Sequence, residues 1–391
     1  GSLLCSITPD IHTLIGARLI QGLGGSMMNP VALSIISQVF YRPVERARAL
    51  GIWGAVVGIS MALGPVVGGL LIQVVGWRAV FWINLPICAA AILLTAIVVP
   101  ESKSATMRDM DPVGQVLAVL ALFGIVFTLI EGPVLGWTNP VLLGIALTAV
   151  LALLGFLRYE DRRRDPFIDL RYFRSIPFAS ATAIAVCAFA GWAAFLFMMS
   201  LYLQGERGYS AMATGLIYLP ISIGALVFSP LSGRLVGRYG SRPSLLIAGA
   251  MITAAATMLM FLTPTTPVWA LLTIFAAYGI GFAMVNAPVT NAAVSGMPRD
   301  RAGAASAITS TSRQVGVSIG VALCGSVAGS ALAATHVGFT DSARPLWIIN
   351  VALGLVITVL AVTSTSARAA RSAQQLAPLI ENDAIAVAHA R

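Results

Sequence analysis

The sequence predicts an all-α polytopic membrane protein, and two observations carry that prediction. The chain of 391 residues is 58% hydrophobic and only 10% charged, with a mean hydropathy of +0.89. An average soluble protein is about 25% charged, so a soluble protein with a single core is excluded. Apolar runs long enough to cross a bilayer also recur from one end of the chain to the other. The excess of Lys and Arg is scattered through loops, which argues against a nucleic-acid surface.

Eleven runs are long enough and apolar enough to form membrane-spanning helices, which need about 20 residues each. In chain order, from first to eleventh, the spans are Ile11 to Gln38, Ala49 to Val75, Ala79 to Val99, Val113 to Ile130, Pro140 to Leu157, Ile176 to Leu203, Ala211 to Leu231, Ser244 to Leu262, Pro267 to Val289, Ala302 to Ala333 and Pro345 to Val362. Gly1 to Ile7 is apolar but too short to span, and the chain begins without Met. We therefore expect a chain whose beginning is incomplete.

The positive charges predict how the helices are oriented, because positively charged loops stay in the cytoplasm. Of the 24 Lys and Arg, 19 lie in one set of alternate loops and in the C-terminal tail. Three lie in the opposite loops, namely Arg78, Arg207 and Arg344. We expect a multi-pass protein of the inner (cytoplasmic) membrane with a cytoplasmic C-terminus. The remaining two cations, Arg18 and Arg313, lie inside spans.

A repeated motif predicts two related halves. The pattern P-x-E-R-A-x-A that begins at Pro43 returns as P-x-D-R-A-x-A at Pro298, although a generic cytoplasmic helix start is the alternative. Eight helices separate the copies where two six-helix halves would place six, so two helices are expected to be inserted. The predicted organisation has four parts: the remainder of an N-terminal half (1–100), two inserted helices with a cytoplasmic linker (101–175), a C-terminal half (176–363) and a cytoplasmic tail (364–391).

Arg18 lies about seven residues into the first span, or roughly 10 Å deep at ~1.5 Å per residue. A central Arg costs about 2.5 to 3.5 kcal/mol on insertion, so it is expected to face a cavity or a partner. Gln21, Gly22 and Gly25 share its helix face by their spacing. A polar face lined with small residues favours a path for a solute or a proton. The alternative is an Arg that extends to the outer interface.

Glycine is concentrated in the second span, and the tenth span repeats the pattern. Gly64 and Gly68 are one turn apart, a spacing that lets two helix backbones approach closely, and Pro65 bends the helix beside them. In the tenth span Gly316 and Gly320 follow a buried cation. Ordinary helix packing is the alternative explanation.

These sequence motifs resemble those of the major facilitator superfamily and, within it, those of the fourteen-helix drug:proton antiporter family. The Arg18 string is similar to a fourth-helix motif of that family. The second span is similar to its antiporter motif, with Ser60 at a usual glycine position; the residues assigned to this motif are Gly51, Gly64, Pro65, Gly68 and Gly69. A later loop resembles the cytoplasmic gating loop, with Gly237 at the usual Asp position, through Gly233, Arg238, Gly240 and Arg242. Further matches are Trp77, Arg78, Phe81, Asn84, Pro86, Asp111, Gly114, Glu131, Gly132, Trp137, Arg313, Gln314 and Gly316.

The resemblance implies a major facilitator fold with eleven complete helices of an expected fourteen. It implies proton-coupled efflux of lipophilic or cationic small molecules by alternating access, driven by the proton gradient without a cofactor. The proton-coupling and transport path would include Arg18, Gln21, Gly22, Arg313 and Gln314. The coupling carboxylate usual in the first helix is expected upstream of Gly1, and Arg18 would favour its ionised form. The implied partners are a small-molecule substrate, protons and the lipid bilayer, with no nucleic acid, and the protein is expected to be a monomer.

Other functions were weighed against multidrug export. An enzyme is disfavoured because His12, His336 and His389 lie in loops or the tail, and four dispersed cysteines predict neither a disulfide nor a metal site. A channel would not need duplicated halves. A dedicated exporter of an endogenous product, such as a siderophore, antibiotic or lipid, stays open. Residues of the sixth span could contact a lipophilic solute or simply pack, namely Trp192, Phe195, Phe197, Met198 and Met199.

Overall fold

The computed structural model describes residues 1–40, 43–99, 111–163, 166, 168–295, 302–333 and 339–375, with side chains described at fewer positions in α2, α3 and α14. Over these residues the chain is helical and forms no strand. The helices are α1 (Ser2–Ile7), α2 (Ile11–Val39), α3 (Pro43–Val74), α4 (Ala79–Trp82), α5 (Asn84–Val98), α6 (Pro112–Leu135), α7 (Pro140–Arg162), α8 (Ile176–Leu201), α9 (Ala211–Ile217), α10 (Leu219–Tyr239), α11 (Ser241–Leu259), α12 (Val268–Ala283), α13 (Asn286–Val294), α14 (Ala302–Ala333) and α15 (Phe339–Thr363).

Helices occupy all eleven spans that the sequence predicts. Three of these spans consist of two helices in succession, namely α4 with α5, α9 with α10, and α12 with α13. Among the described residues, eight helical stretches are long and apolar enough to cross a membrane. The other three predicted spans correspond to α2, α3 and α14, and the described part of α3 contributes the shorter apolar stretch Leu63–Val74. The predicted all-α membrane class is confirmed.

The chain divides into two compact units by its internal contacts. Unit 1 consists of Gly1–Arg108 with Gly208–Ser222, and unit 2 of Asp109–Arg207 with Ile223–Arg391. Unit 1 therefore contains α1 to α5 and α9, whereas unit 2 contains α6 to α8, most of α10, and α11 to α15. The four-part organisation expected from the sequence stays a prediction.

Capping residues explain where several helices begin. The Asp10 carboxylate accepts hydrogen bonds from the backbone N–H groups of His12 and Thr13, both at 2.9 Å, so α2 begins at the residue after Asp10. These bonds hold the pKa of Asp10 below its usual value. Pro112 and Pro140 open α6 and α7, where the missing N–H of proline removes no helical hydrogen bond.

Unit 2 is organised around α8, which packs against α13, α14 and α15. The backbone of α14 comes close to α8 at two glycines. A Cβ built on Gly316 would lie 3.1 Å from the Cβ of Phe189, and a Cβ built on Gly320 would overlap the carbonyl group of Ala190. A larger residue would force the two helices apart. The close packing predicted for the tenth span is confirmed at these two positions.

Candidate functional site

Arg18 lies on α2 in unit 1, and its side chain is exposed. Its Nη1 donates a hydrogen bond to Oε1 of Gln21 at 2.6 Å, one helical turn further along. The Arg18 Cζ also lies 5.7 Å from the centre of the Phe81 ring, within the range of a cation–π contact. Among the residues that the structure describes, no carboxylate pairs with Arg18. The partners of this cation that the structure shows are therefore neutral.

Gln21 extends the polar contacts of Arg18 to α1 and α5. Its Nε2 donates to the Ser2 hydroxyl at 2.7 Å, and the amide of Asn84 donates to the same hydroxyl at 3.4 Å. We refer to Arg18, Gln21, Ser2 and Asn84 as the Arg18 cluster. The sequence placed Arg18 and Gln21 in one motif and Phe81 and Asn84 in another, and the structure brings the two motifs together. Nothing in the sequence indicated that Ser2 would join them.

The glycines that follow Gln21 leave one stretch of α2 open. A Cβ built on Gly22, Gly24 or Gly25 would meet no described atom within 4 Å. Gly22 is exposed directly beside the Arg18 cluster. No described residue therefore covers this stretch of α2 next to a cation, and the predicted transport path stays a prediction.

The antiporter motif contacts α9 within unit 1. A Cβ built on Gly69 would clash with the carbonyl of Ala211, and a Cβ built on Gly215 would clash with the carbonyl of Pro65. The two helices therefore meet backbone to backbone, and each supplies one glycine to the contact. Gly215 was not recognised in the sequence, because α9 carries no similar glycine motif.

The close backbone approach that the described residues show in this motif is at Gly69, and the approach predicted at Gly64 and Gly68 stays a prediction. A Cβ built on Gly64 or on Gly68 would meet no described atom within 4 Å. Successive residues of a helix are about 100° apart, so Gly68 points away from the surface that Gly69 presents to α9. The surroundings of Gly51 lie outside the described residues.

Arg313 lies on α14 in unit 2 with a partly exposed side chain. Its Nη2 donates a hydrogen bond to the Thr290 hydroxyl of α13 at 2.9 Å. Its Cζ lies 5.8 Å from the centre of the Phe189 ring of α8. The Arg313 Nε is buried, and no described residue accepts a hydrogen bond from it. The neighbouring Gln314 is exposed.

A stack of aromatic rings continues from Phe189 through unit 2. The Phe189 ring meets Phe282 edge on, with centroids 5.0 Å apart. Trp192 stacks on Phe282 with centroids 4.1 Å apart and an angle of 10° between the ring planes. Phe189 and Trp192 are partly exposed, whereas Phe282 is buried. Phe189 contacts the Arg313 guanidinium as well as the Phe282 ring, so the aromatic stack begins beside Arg313.

Three of the residues suggested as solute contacts in the sixth span are buried in the core instead. Phe195, Met198 and Met199 are at most 1% exposed, so the packing alternative holds for them. Phe197 is 42% exposed but lies on a different face of α8 from Trp192, since the two are five residues apart. Trp192 keeps the accessibility that a solute contact requires.

The segment that resembles a gating loop is mostly helical: Gly233 and Arg238 lie in α10, Arg242 lies in α11, and Gly240 separates the two helices. Gly240 has a φ of +78°, a backbone conformation that favours glycine because it has no Cβ. The next residue, Ser241, donates to the carbonyl of Pro288 at 3.4 Å and accepts from the Asn291 amide at 3.1 Å, which ties the loop to α13. The residues assigned to this loop are all exposed: Gly233, Arg238, Gly240 and Arg242.

A buried acidic cluster lies at the start of α6; the sequence marked Asp111 and Gly114 as family matches but did not indicate their pairing with Glu160 and Arg163. Asp111 and Glu160 are 3% and 2% exposed. The Arg163 guanidinium donates to Asp111 at 2.9 Å and to the Tyr159 hydroxyl at 2.6 Å. Burial alone would raise the pKa of Asp111, but the Gly114 N–H at 2.9 Å, a hydrogen bond from Glu160 and the Arg163 charge hold it below its usual value.

Gly114 makes this pairing of carboxyl groups possible. A Cβ built on Gly114 would lie 2.5 Å from oxygens of both Asp111 and Glu160. The signals in the sequence were the Asp-Pro start of α6 and the acids near the end of α7, but neither indicates that the two helix ends meet.

The described residues include no group of three His, Cys, Asp or Glu side chains that could hold a metal ion.

Comparison with known proteins gives a consistent set of matches. The family model of the Major Facilitator Superfamily matches residues 1–321. The multidrug resistance protein Stp of Mycobacterium tuberculosis is 37% identical over 345 residues, which are 88% of this chain and 64% of that protein. The tetracenomycin C resistance and export protein of Streptomyces glaucescens is 34% identical over 326 residues, 82% of this chain and 59% of that protein. The methylenomycin A resistance protein of Streptomyces coelicolor is 34% identical over 329 residues, 84% of this chain and 69% of that protein.

Proposed function

This chain belongs to the major facilitator superfamily, whose members are transporters rather than enzymes, and on that premise we propose that it exports lipophilic small molecules by proton-coupled alternating access. The proposal covers the whole transporter, and the chain spans 64% of the length of the Stp protein. It places the protein in the cytoplasmic membrane of a bacterium, as a monomer with a cytoplasmic C-terminus. Its partners in the proposal are the solute, protons and lipid, and the proton gradient is its energy source.

The Arg18 cluster is the observation that carries this proposal. A cation in a span costs about 2.5 to 3.5 kcal/mol on insertion scales, so its presence needs a compensating role. The described partners of Arg18 are neutral, and no described residue covers the adjacent surface of α2 at Gly22. Packing by itself requires neither a charge nor an open surface. A role in moving protons or solute requires both.

In the proposed cycle, Arg18 acts on the protonation of a neighbouring carboxyl group. A cation within a few ångströms favours the ionised form of a carboxyl group, so its proton is released when the two approach and is retained when they separate. A conformational change that moves α2 therefore alters proton affinity. The backbone of α9 approaches Gly69 at Ala211, and the backbone of α3 approaches Gly215 at Pro65, so α3 can move against α9 at these two points without displacing a side chain of either glycine.

Export of one particular product is the second candidate, and the names of relatives favour it. Besides the tetracenomycin C protein, a probable actinorhodin transporter of Streptomyces coelicolor is 31% identical over 340 residues. The Stp protein is instead named for multidrug resistance. A panel of solutes separates the two candidates, since a dedicated exporter moves one chemical group and a multidrug exporter moves many.

The test is transport in inverted membrane vesicles from an exporter-deficient bacterium. We expect solute accumulation and proton movement in the protein with Arg18, both lost with an uncoupler. Arg18→Ala should abolish both while membrane insertion is unchanged, because removing a charge from a span favours insertion. Arg18→Lys should retain part of the activity. Arg344→Ala is the matched control, since Arg344 is 59% exposed and pairs with Asp341 at 3.3 Å.

Two results would overturn the proposal. One is uncoupler-sensitive export by Arg18→Ala at the rate of the unchanged protein. The other is downhill solute flow that never responds to the proton gradient in either variant, which would indicate a facilitator or a channel.

A further inference from the structure

The predicted spans between residues 176 and 362 hold one cation, Arg313, and no acid to neutralise it. Between residues 176 and 362 the sequence has three acids, Glu206, Asp300 and Asp341, and all three fall between the predicted spans. Arg313 lies eleven residues after Ala302, or roughly 16 Å along α14 at ~1.5 Å per residue. The positive charge at this depth is therefore unbalanced within the C-terminal part of the chain.

Among the described residues, one side chain accepts a hydrogen bond from the Arg313 guanidinium. A guanidinium presents five N–H donors in a planar fork. One donor, on Nη2, is used by the Thr290 hydroxyl at 2.9 Å. The Nε donor is buried without an acceptor among the described residues. Paired donors on one edge of the fork match the two oxygens of a carboxylate, and such bonds are stronger than those between neutral groups.

Aromatic surface lies directly beside these donors. Phe189 contacts Arg313 on one side and Phe282 on the other, and Trp192 stacks on Phe282. Phe189 and Trp192 are partly exposed, so a flat ring can reach their open edges. Stacked or edge-on aromatic pairs are more favourable than the burial of their apolar area alone. The same small region thus presents the positive charge of Arg313, which can bind an acid group, and an aromatic surface, which can bind a ring.

We infer that Arg313, Thr290, Phe189 and Trp192 form a subsite for planar aromatic acids, in which the acid group binds the guanidinium and the ring lies against Phe189 and Trp192. This inference rests on the proposed export function and narrows its substrates to aromatic anions. A cationic solute would meet Arg313 as a like charge. The subsite therefore differs from the export of cationic solutes, which is one of the two substrate classes that the family resemblance implies.

Binding of three matched probes tests the subsite without requiring transport. The probes are anthracene-2-carboxylate, anthracene-2-carboxamide and anthracen-2-ylmethylammonium, which share a ring system and differ in charge. Their fluorescence is titrated with the purified protein in nanodiscs of phosphatidylcholine, where no anionic headgroup competes for Arg313. We expect the carboxylate to bind more tightly than the amide, and the amide more tightly than the ammonium.

Variants assign the preference to individual residues. Arg313→Gln should weaken carboxylate binding about 10- to 100-fold, the range for hydrogen bonds to charged groups, and leave amide binding nearly unchanged. Arg313→Lys should retain the preference for the anion in part. Trp192→Leu should weaken all three probes by a similar factor, because stacking does not depend on charge. Arg344→Gln, which removes an exposed cation outside the subsite, should change none of them.

The results separate this inference from the proposed function. Arg313-dependent carboxylate binding supports the subsite even if vesicles show no uncoupler-sensitive export, a result that would instead overturn the export function. Equal carboxylate binding by the unchanged protein and Arg313→Gln overturns the subsite. Tightest binding of the ammonium probe also overturns it, whether or not that probe is exported.

Discussion

Glycine-rich helices occur in both units, but their glycines have different surroundings. In unit 2, a Cβ on Gly320 would overlap α8, and a Cβ on Gly354 would lie 2.9 Å from the backbone nitrogen of Thr253 on α11. In unit 1, a Cβ on Gly22, Gly64 or Gly68 would meet no described atom within 4 Å. Small residues therefore fall into two groups: one at which helices cross, which in unit 1 includes Gly69 and Gly215, and one at which no described atom lies nearby.

The difference shows that glycine content does not by itself identify a path. Arg18 and Arg313 both sit near glycines and both contact an aromatic ring, yet Gly316 beside Arg313 is a packing position and Gly22 beside Arg18 is open. The distinction depends on which neighbour faces each glycine. Substitutions that add volume at single glycines can test it directly.

The largest effect is expected for Gly320→Leu. The new side chain would enter the backbone of α8, and overpacking of this kind costs about 1 to 3 kcal/mol or more. We expect a clear fall in the Tm of the detergent-purified protein. Gly68→Leu, of identical added volume on an open surface, is the control and should leave the Tm nearly unchanged. Similar losses of Tm in the two variants would break the comparison between the units.

A functional effect is expected for Gly69→Leu, which separates α3 from α9. The contact is backbone to backbone, so a Leu side chain has no space to occupy. The rate of coupled export should fall and protons should leak through the protein, as measured by the collapse of a pH gradient in vesicles. Gly68→Leu again serves as the control. A leak of equal size in both variants would show that the α9 contact is not the relevant one.

An intermediate, pH-dependent effect is expected at the Asp111–Arg163 pair. The folded protein holds the pKa of Asp111 below its usual value, so Asp111 contributes stability above the unfolded pKa of about 4 and loses it as the pH falls through the folded pKa. The Tm should therefore decline in acid below about pH 4. Tyr159, Glu160 and Arg163 are the other ionisable groups of the cluster.

Asp111→Asn isolates this contribution from general acid denaturation. The variant should have a lower Tm at neutral pH and a shallower decline in acid, measured by thermal unfolding across the pH range. A decline as steep as in the unchanged protein would mean that other carboxyl groups cause the acid sensitivity.

The smallest effect on stability is expected for Gly22→Ala. A methyl group on the open stretch of α2 meets no described atom, and alanine favours a helix over glycine by up to about 1 kcal/mol. The Tm should stay constant or rise slightly. Export should slow more for bulky solutes than for small ones, measured with a size series in vesicles. An unchanged size dependence would mean that Gly22 does not line the path.

The helices were predictable because length and hydropathy are local properties of the chain. Each of the eleven predicted spans is helical, including those that break into two helices. Arg18 and Arg313 could also be identified, since a cation in an apolar run is visible in the sequence. These features require no knowledge of what lies opposite each residue.

Features that depend on neighbours were less predictable. Gly64 and Gly68 have the right spacing for a crossing, but the contact falls on Gly69, and only the position of α9 decides this. Gln21 and Asn84 both donate hydrogen bonds to the Ser2 hydroxyl, although Asn84 is 82 positions from Ser2 in the sequence. No local sequence pattern indicates a contact over this separation. The burial of Phe195 and Met199 likewise depends on which face of α8 the neighbours cover.

The crossing of α3 and α9 has a consequence for the kinetics of motion within unit 1. Each helix meets a glycine of the other with its main chain, at Gly69 and Gly215, so no side chains interlock at these points. Rotation of one helix about the other therefore needs no change of rotamer at these two points, where the contacts are dispersion contacts that are individually weak. The rate of this rotation should therefore depend only weakly on temperature, whereas interlocked leucine side chains would make the rotation much slower on cooling.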